Sequence, residues 1–146
     1  MRLQDFLPYR LAILAEDVSQ CMAQVYRERF GLTRDEWRVL SALGDGARAR
    51  TAQVIALCAL DKMPVSRAVT RLERDGLLRR TVDPQDARGF LLQLSPAGRA
   101  LYQKIVPMVQ AREAFLLEAL TPEERQGLDG ALSRLHAQAR QLKDQG

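Results

Sequence analysis

Three arginines and two hydroxyl side chains share one face of the segment from Asp61 to Gly76. If this segment is helical, with about 100° between successive residues, these polar groups lie opposite an apolar stripe. The polar face consists of Ser66, Arg67, Thr70, Arg71 and Arg74, and the apolar stripe consists of Val65, Ala68, Val69 and Leu72. Guanidinium groups suit guanine edges, and small hydroxyl side chains suit phosphates, base edges or thymine methyl groups. The face is therefore typical of a DNA-recognition helix, and a merely solvated helix is the alternative.

Both ends of this segment carry residues that begin and end helices. The carboxylate of Asp61 is expected to accept hydrogen bonds from first-turn N–H groups, and Gly76 can adopt the left-handed conformation that ends a helix. Pro64 is tolerated in a first turn, where its missing N–H would have had no partner. We therefore expect the recognition helix to lie between Asp61 and Gly76.

The excess positive charge of the chain is concentrated around this segment. The 146 residues carry a net charge of +4. From Arg48 to Arg99 there are ten lysines or arginines against five acids, a balance of +5, so the two flanking segments together carry −1. The middle of the chain is thus predicted to meet a polyanion, while the ends are free to serve another purpose.

Composition excludes several classes of protein. Hydrophobic residues make up 47% and charged residues 27% of the chain, which is average for a folded domain and excludes disordered or collagen-like classes. No apolar run approaches the roughly 18 residues that span a bilayer, and no signal peptide is recognisable, so we expect a cytoplasmic protein without a membrane partner. His136, Cys21 and Cys58 have no metal-ligand spacing, and no phosphate loop or nucleophile elbow is present. We expect no enzyme, metal or cofactor, two structural thiols and a surface histidine.

The sequence before the recognition segment predicts the rest of a helix-turn-helix. Thr33 to Glu36 reads as a capping box before a short helix that ends near Gly44. Thr51 is the expected N-cap of a third helix of about two turns, whose apolar residues are Val54, Ile55, Leu57 and Leu60. Two short helices joined by a tight turn, the second with a basic outer face, form a helix-turn-helix.

The sequence after Gly76 predicts a β-hairpin. Residues 77–82 and 90–94 read as two strands, and the charged stretch 83–89 reads as the tip. A hairpin beside a helix-turn-helix is a wing.

Long helices are predicted at both ends of the chain. Residues 3–29 form one helix, broken or begun near Pro8 and ended by Gly31, and Ser95 and Thr121 cap two more. The first and last helices carry seams at heptad-like steps: Leu7, Leu11, Leu14, Val18, Cys21 and Val25, and then Leu128, Leu132, Leu135, Ala139 and Leu142. Such seams suit contact with another helix, from the same chain or from a second copy.

In this order the elements resemble the MarR family of winged helix-turn-helix transcription regulators over essentially the whole chain. Residues 61–80 resemble the family's recognition helix and the entry to its wing, 83–88 its Asp-x-Arg wing tip, and 94–98 its Leu-Thr-x-x-Gly exit. The resemblance implies one domain over 1–146 that is mainly α-helical with a small β-hairpin wing. Residues 33–96 then form the winged helix-turn-helix, flanked by dimerisation helices within 1–30 and 100–146.

The resemblance also implies a set of DNA contacts. Arg88 is expected to enter the minor groove with its guanidinium oriented by Asp86, while the recognition helix faces the major groove. Gly89 and Phe90 follow where the family often has another basic residue, which leaves a second wing contact unsupported. The expected DNA-binding residues are Arg50, Thr51, Lys62, Pro64, Ser66, Arg67, Thr70, Arg71, Arg74, Asp86 and Arg88. A homodimer on a palindromic operator in double-stranded DNA follows from the same resemblance.

Many members of the family release DNA when a small aromatic acid or a related compound binds. We therefore expect a ligand-responsive repressor whose effector is a small aromatic carboxylate or its thioester. The residues expected to line the ligand site are Phe6, Tyr9, Arg10, Trp37, Arg38, Ile105 and Met108. Arg10 or Arg38 would pair with the carboxylate while Tyr9 and Trp37 cover the ring. In the alternative interpretation Trp37 and Met108 are plain core and Arg38 contacts phosphate.

Two further interpretations stay open. The chain could be a helical adaptor whose basic face binds an acidic protein, or a MarR-like regulator that senses oxidation through Cys21. Salt-dependent, sequence-specific binding to a palindrome would separate a regulator from an adaptor.

Overall fold

The first long helix is shorter than its apolar pattern predicted. The computed structural model describes residues 1–146, apart from the side chain of Ala87. A 3-10 turn over Leu3–Asp5 precedes helix α1, Leu7–Tyr26, which begins with Pro8 in its first turn. The chain then turns and passes through Gly31, which has a φ of +68°. The predicted span 3–29 was too wide because a repeat of apolar side chains does not show where backbone hydrogen bonding stops.

Three short helices follow and form the predicted helix-turn-helix. Helix α2, Arg34–Ala42, begins with the predicted capping box at Thr33. Helix α3 runs over Thr51–Cys58 and helix α4 over Lys62–Arg74. Asp61 occupies the N-cap position of α4, but its side chain makes no capping hydrogen bond. The tight turn before α4 includes Ala59, which adopts a left-handed conformation with a φ of +52°.

The prediction that Thr51 caps α3 was wrong by one residue. Arg50 holds the N-cap position, and its backbone N–H donates to Oε1 of Gln53 at 2.8 Å. Thr51 is already helical. The extended backbone of Arg50 is explained by a short strand, which the sequence analysis did not predict.

The wing belongs to a three-stranded antiparallel sheet. Strand β1 is Ala49–Arg50, and the predicted hairpin consists of β2, Leu78–Asp83, and β3, Asp86–Leu94. The strand order is β1-β3-β2, with Ala49 opposite Leu92 and Arg80 opposite the same residue from the other side. A two-residue strand has no alternation to detect, which is why β1 was missed.

The described residues divide into two compact units, Met1–Val109 and Gln110–Gly146. The core of the first unit includes the whole predicted apolar stripe of α4, together with Tyr26, Leu40, Leu43, Leu92 and Ile105. Leu57 was expected on the apolar face of α3, but it is 67% exposed.

The second unit contains the end of helix α5, Pro96–Leu117, and helix α6, Pro122–Gln145. Thr121 caps α6 through a capping box with Glu124, as predicted. The leucines of the α6 seam are 40–72% exposed, and they are Leu128, Leu132, Leu135 and Leu142. Among the helices of the described residues, none is long and apolar enough to cross a membrane.

A close backbone contact joins the end of α4 to the start of α5. Ser95 Oγ donates to the Gly76 carbonyl at 2.6 Å and accepts from the Gly98 N–H at 3.0 Å, and the Ser95 N–H donates to the Leu77 carbonyl at 3.0 Å. A Cβ at Gly98 would lie only 1.9 Å from the Leu77 carbonyl oxygen. Since that neighbour is backbone, Gly98 cannot be replaced without moving the junction.

We predict that Gly98→Ala lowers the free energy of unfolding by about 2–3 kcal/mol, because the added methyl group overpacks a contact that cannot yield. Thermal and urea denaturation followed by circular dichroism measure this loss. The control is Gly127→Ala in α6, where a Cβ would meet nothing within 4 Å. This control should be neutral or up to about 1 kcal/mol stabilising, and equal effects of the two substitutions would contradict the steric argument.

Candidate nucleic-acid interface

Helix α4 presents the two faces that its sequence predicted. Val65, Ala68, Val69 and Leu72 are buried, while Arg67, Thr70 and Arg74 are exposed and Ser66 and Arg71 are half-buried. Four of the polar residues line one open concavity on the outer side of the helix, and they are Ser66, Arg67, Thr70 and Arg71. An open groove edged by guanidinium groups matches the shape and charge of a nucleic-acid backbone or base edge.

Arg71 is held by α2. Its Nε lies 3.4 Å from Oε1 of Glu36, an ion pair without the geometry of a hydrogen bond. The same carboxylate oxygen accepts from Thr33 Oγ at 3.0 Å, and Glu36 is buried. The capping box of α2 therefore also fixes one edge of a recognition-helix arginine, so Arg71 is less free than Arg67 to turn toward a base.

Arg80 forms a second link between α4 and the sheet. Its guanidinium carbon lies 5.1 Å from the centre of the Phe90 ring, and its Nε lies 3.4 Å from Oε2 of Glu73 on α4. This contact spans the wing and the recognition helix within the first unit. The sequence analysis missed it because Arg80 and Glu73 gave no sign of being partners.

Arg88 is exposed near the wing tip, as predicted. Asp86 acts on it differently from the expectation: its Oδ1 accepts from the backbone N–H of Arg88 at 3.0 Å, so the contact holds the backbone and not the guanidinium. The carboxylate thereby fixes the backbone at the start of β3, from which the Arg88 side chain extends.

Arg50 links the helix-turn-helix to the wing. Its Nε lies 2.9 Å from Oδ2 of Asp83, and its Nη2 donates to Oε1 of Gln85 at 3.0 Å. Asp83 is buried, and its Oδ1 accepts from the backbone N–H of Gln85 at 2.9 Å. Arg50 was expected to contact DNA, and the structure shows that it is already engaged in positioning the wing. The sequence carried no signal of this link, because Arg50 and Asp83 are distant in the chain and the burial of Asp83 is seen only in the fold.

The remaining predicted DNA-binding residues lie at the beginnings of α3 and α4. Lys62 is exposed, whereas Thr51 and Pro64 are half-buried. Thr51 and Lys62 are the first residues of their helices, where the helix dipole favours an anion.

The seven residues predicted to line a ligand site are not brought together in one chain. Ile105 is completely buried in the core, and its contact with a ligand stays a prediction. Its heptad position showed an inward direction but not how deep the side chain would lie. Met108 is half-buried, and its sulfur accepts from Nη1 of Arg29 at 3.8 Å. Phe6, Tyr9 and Arg10 are exposed near the start of α1.

Trp37 and Arg38 do line one cavity, together with Ser41, Ala42, Leu57, Cys58 and Ala59. The Trp37 ring stacks between the rings of Tyr26 and Tyr102, with centroid distances of 5.6 and 6.1 Å. Arg38 Nη1 donates to the Cys58 carbonyl at 3.2 Å. Trp37 thus belongs to the packed interior on one side and to a cavity on the other.

Both cysteines were predicted to be buried, and His136 was predicted to lie on the surface. Cys58 is buried, and burial raises the pKa of its thiol, so it stays protonated near neutral pH. Cys21 is only half-buried and, like Cys58, forms no disulfide. His136 is exposed. Among the described residues no cluster of histidine, cysteine or acidic side chains is arranged to hold a metal ion.

A family model described as the MarR family matches residues 30–89, which hold α2, α3, α4 and most of the wing. The homoprotocatechuate degradative operon repressor of Escherichia coli is 24% identical over 110 residues, covering 75% of this chain and 74% of that protein.

Two solved structures resemble the chain over most of its length. One is Bordetella bronchiseptica BpsR, whose DNA binding is regulated by 6-hydroxynicotinic acid. It is 26% identical with a TM-score of 0.84, covering 93% of this chain and 96% of that one. The other, described as a "probable transcriptional regulator" of Pseudomonas aeruginosa, is 33% identical with a TM-score of 0.69, covering 92% and 99%.

We predict that Asp83→Asn loosens the wing tip by about 1–2 kcal/mol, because the substitution removes the charge that pairs with Arg50. Hydrogen exchange at the amides of residues 83–88 should become about five- to thirtyfold faster, with little change in the core. The control is Arg79→Ala, which removes an exposed guanidinium from β2. Unchanged exchange at the tip in Asp83→Asn would show that the Arg50 contact does not position the wing.

Proposed function

Because this chain belongs to the MarR family of transcription regulators, we propose that it is a ligand-responsive repressor which binds a palindromic operator as a homodimer. The family and its relatives are regulators and not enzymes. In this proposal residues 33–96 contact double-stranded DNA, and the helices within 1–30 and 100–146 hold two copies together. The protein acts in the cytoplasm, on the nucleoid when it is bound to DNA.

The outer face of α4 is the observation that carries the proposal. Arg67 and Arg74 are exposed, Arg71 is held by Glu36, and the opposite face is buried in the core. The core therefore fixes the direction in which the arginines point before any partner arrives. A prepositioned basic helix with an open outer groove is what major-groove recognition needs, because bidentate arginine contacts to guanine depend on direction.

The wing supplies the second set of proposed contacts. Arg88 extends from the start of β3, where Asp86 holds its backbone, and the Arg50–Asp83 ion pair joins the end of β2 to the start of α3. We assign Arg88 to the minor groove, where a narrow A·T tract concentrates negative potential. Lys62 and the first turns of α3 and α4, with Thr51 and Pro64, are assigned to phosphates, and Arg50 contributes through the wing.

Exposed apolar seams support the homodimer. Leu7, Leu11 and Leu14 of α1 are 39–59% exposed, and the leucines of the α6 seam are equally open. Contiguous apolar stripes of this kind on a soluble protein mark interaction surfaces. A two-fold dimer matches a palindrome whose half-sites lie about 34–36 Å apart, one turn of DNA.

The proposed effector is a small aromatic acid or its thioester, bound at the cavity beside Trp37 and Arg38. The guanidinium of Arg38 can pair with a carboxylate, and Trp37 offers an aromatic surface. Regulation of BpsR by 6-hydroxynicotinic acid supports this class of compound. The effector must bind more tightly to the conformation that cannot hold DNA, since equal affinity for both conformations would shift nothing. We propose that it changes the spacing of the two recognition helices, so that both cannot dock together.

We predict that Arg88→Ala weakens operator binding by about 1–3 kcal/mol, because one minor-groove contact is lost. The operator is first selected from random duplexes, and affinity is then measured by fluorescence anisotropy at fixed salt. Sedimentation should show the same dimer as the parent protein. Arg140→Ala removes the same charge from α6 and serves as the control. An unchanged affinity in Arg88→Ala refutes the wing contact, and a monomer at micromolar concentration refutes the dimer.

We predict that an aromatic acid at about 100 times its dissociation constant stabilises the protein by about 2.7 kcal/mol and releases the operator. A thermal-shift panel of aromatic acids and their thioesters, followed by anisotropy, measures both effects. Arg38→Ala should abolish the response to acids, while Arg10→Ala should leave it intact. A panel that produces no stabilisation would contradict the effector class. Loss of the response only in Arg10→Ala would show that Arg10 of α1, and not Arg38, pairs with the carboxylate.

A further inference from the structure

A large apolar side chain lies in the middle of the basic face of α4. Met63 is 61% exposed, although methionine is usually a core residue. On a helix with about 100° per residue it points within roughly 20° of the centre of the face formed by Ser66, Arg67, Thr70, Arg71 and Arg74. The sequence analysis passed over Met63 because it considered only polar side chains on that face.

Thr70 follows Met63 two turns later and presents a similar chemistry. Its Oγ1 donates to the carbonyl of Ser66 at 3.0 Å, so its hydroxyl proton is engaged within the helix. Thr70 is nevertheless exposed. What it offers a partner is therefore mainly its methyl group and not a donor hydrogen. Met63 and Thr70 together form an apolar row, flanked by the guanidinium groups of Arg67, Arg71 and Arg74.

The base edges of the major groove carry one apolar group, the C5-methyl of thymine. Phosphates and the hydrogen-bonding groups of the base edges are polar and gain little from a thioether or a methyl group. The N-terminal residues of a recognition helix are those that reach the base edges, and Met63 is the second residue of α4. The flexible methionine side chain also adapts readily to the exact position of a methyl group.

We propose that Met63 and Thr70 are specificity-determining residues that recognise thymine methyl groups in each half-site. This inference rests on the proposed function, because it requires α4 to enter the major groove. Arg67 then selects a neighbouring guanine or contacts a phosphate, and the apolar row distinguishes thymine from cytosine. Burial of one methyl group corresponds to about a fourfold change in affinity.

The test removes thymine methyl groups one position at a time. Within the selected operator, each thymine is replaced by deoxyuridine symmetrically in both half-sites, which deletes the methyl group and keeps Watson–Crick pairing. Anisotropy at fixed salt gives the affinity of each duplex. We expect the affinity to fall about fourfold per deleted methyl group at one or two positions. Replacement of the other thymines should leave the affinity unchanged.

Matched variants assign the sensitive positions to side chains. In Met63→Ala one sensitive position should become indifferent to uracil, and Met63→Leu should keep its sensitivity. Thr70→Val retains the methyl group and should keep discrimination at its position, whereas Thr70→Ser should lose it. Met63 and Thr70 are exposed, so circular dichroism and melting temperature should match the parent protein in all four variants.

The outcomes separate this inference from the function on which it rests. Absence of sequence-specific binding by the parent protein would overturn both. Specific binding that is insensitive to uracil at every position would overturn the inference and leave the function standing. A uracil effect that persists in Met63→Ala and in Thr70→Ser would also overturn it, because other residues would then read the methyl groups.

Discussion

The contact between the Leu77 carbonyl and Gly98 is the constraint on which the arrangement of recognition helix and wing depends. It brings together the end of α4, the start of β2, the end of β3 and the start of α5, and Ser95 adds hydrogen bonds to both sides. Because this backbone contact leaves no room for a methyl group, it holds the segment that links the recognition helix to the wing closely against the start of α5. The positions of the exposed arginines on α4 and on the wing depend on this contact.

A second level of order comes from arginines that are paired inside the molecule. Arg50 joins Asp83, Arg71 joins Glu36 and Arg80 joins Glu73, and each pair connects two different elements of the first unit. These three acids therefore help to hold the elements that carry the basic surface. Ion pairs on the surface contribute little to stability by themselves. Asp83 and Glu36 are buried, however, and a buried carboxylate without its partner would be costly, so Arg50 and Arg71 must stay close to them. Arg67 and Arg88 are exposed and do not belong to these three ion pairs.

Much of the fold followed from the sequence because its local signals agreed with each other. The two faces of α4, the capping box at Thr33, the N-cap at Thr121 and the hairpin were all predicted, since each depends on residues close in the chain. Most of the misses have one physical cause. Strand β1, the depth of Ile105 and the partners of Arg50 and Arg71 depend on residues distant in sequence, which periodicity does not reveal. Met63 was missed for another reason, since only the polar side chains of that face were considered.

The stack of Tyr26, Trp37 and Tyr102 gives this protein a built-in optical probe. Trp37 is the only tryptophan of the chain, so the long-wavelength fluorescence of the protein reports on a single place. Its ring lies nearly parallel to that of Tyr26, with an angle of 12° between them, and Trp37 also lines the cavity beside Arg38. Energy absorbed by the two tyrosines passes efficiently over such short distances. The emission of Trp37 therefore reports, without a label, on the packing of α1, α2 and α5 around its ring and on the cavity that Trp37 lines.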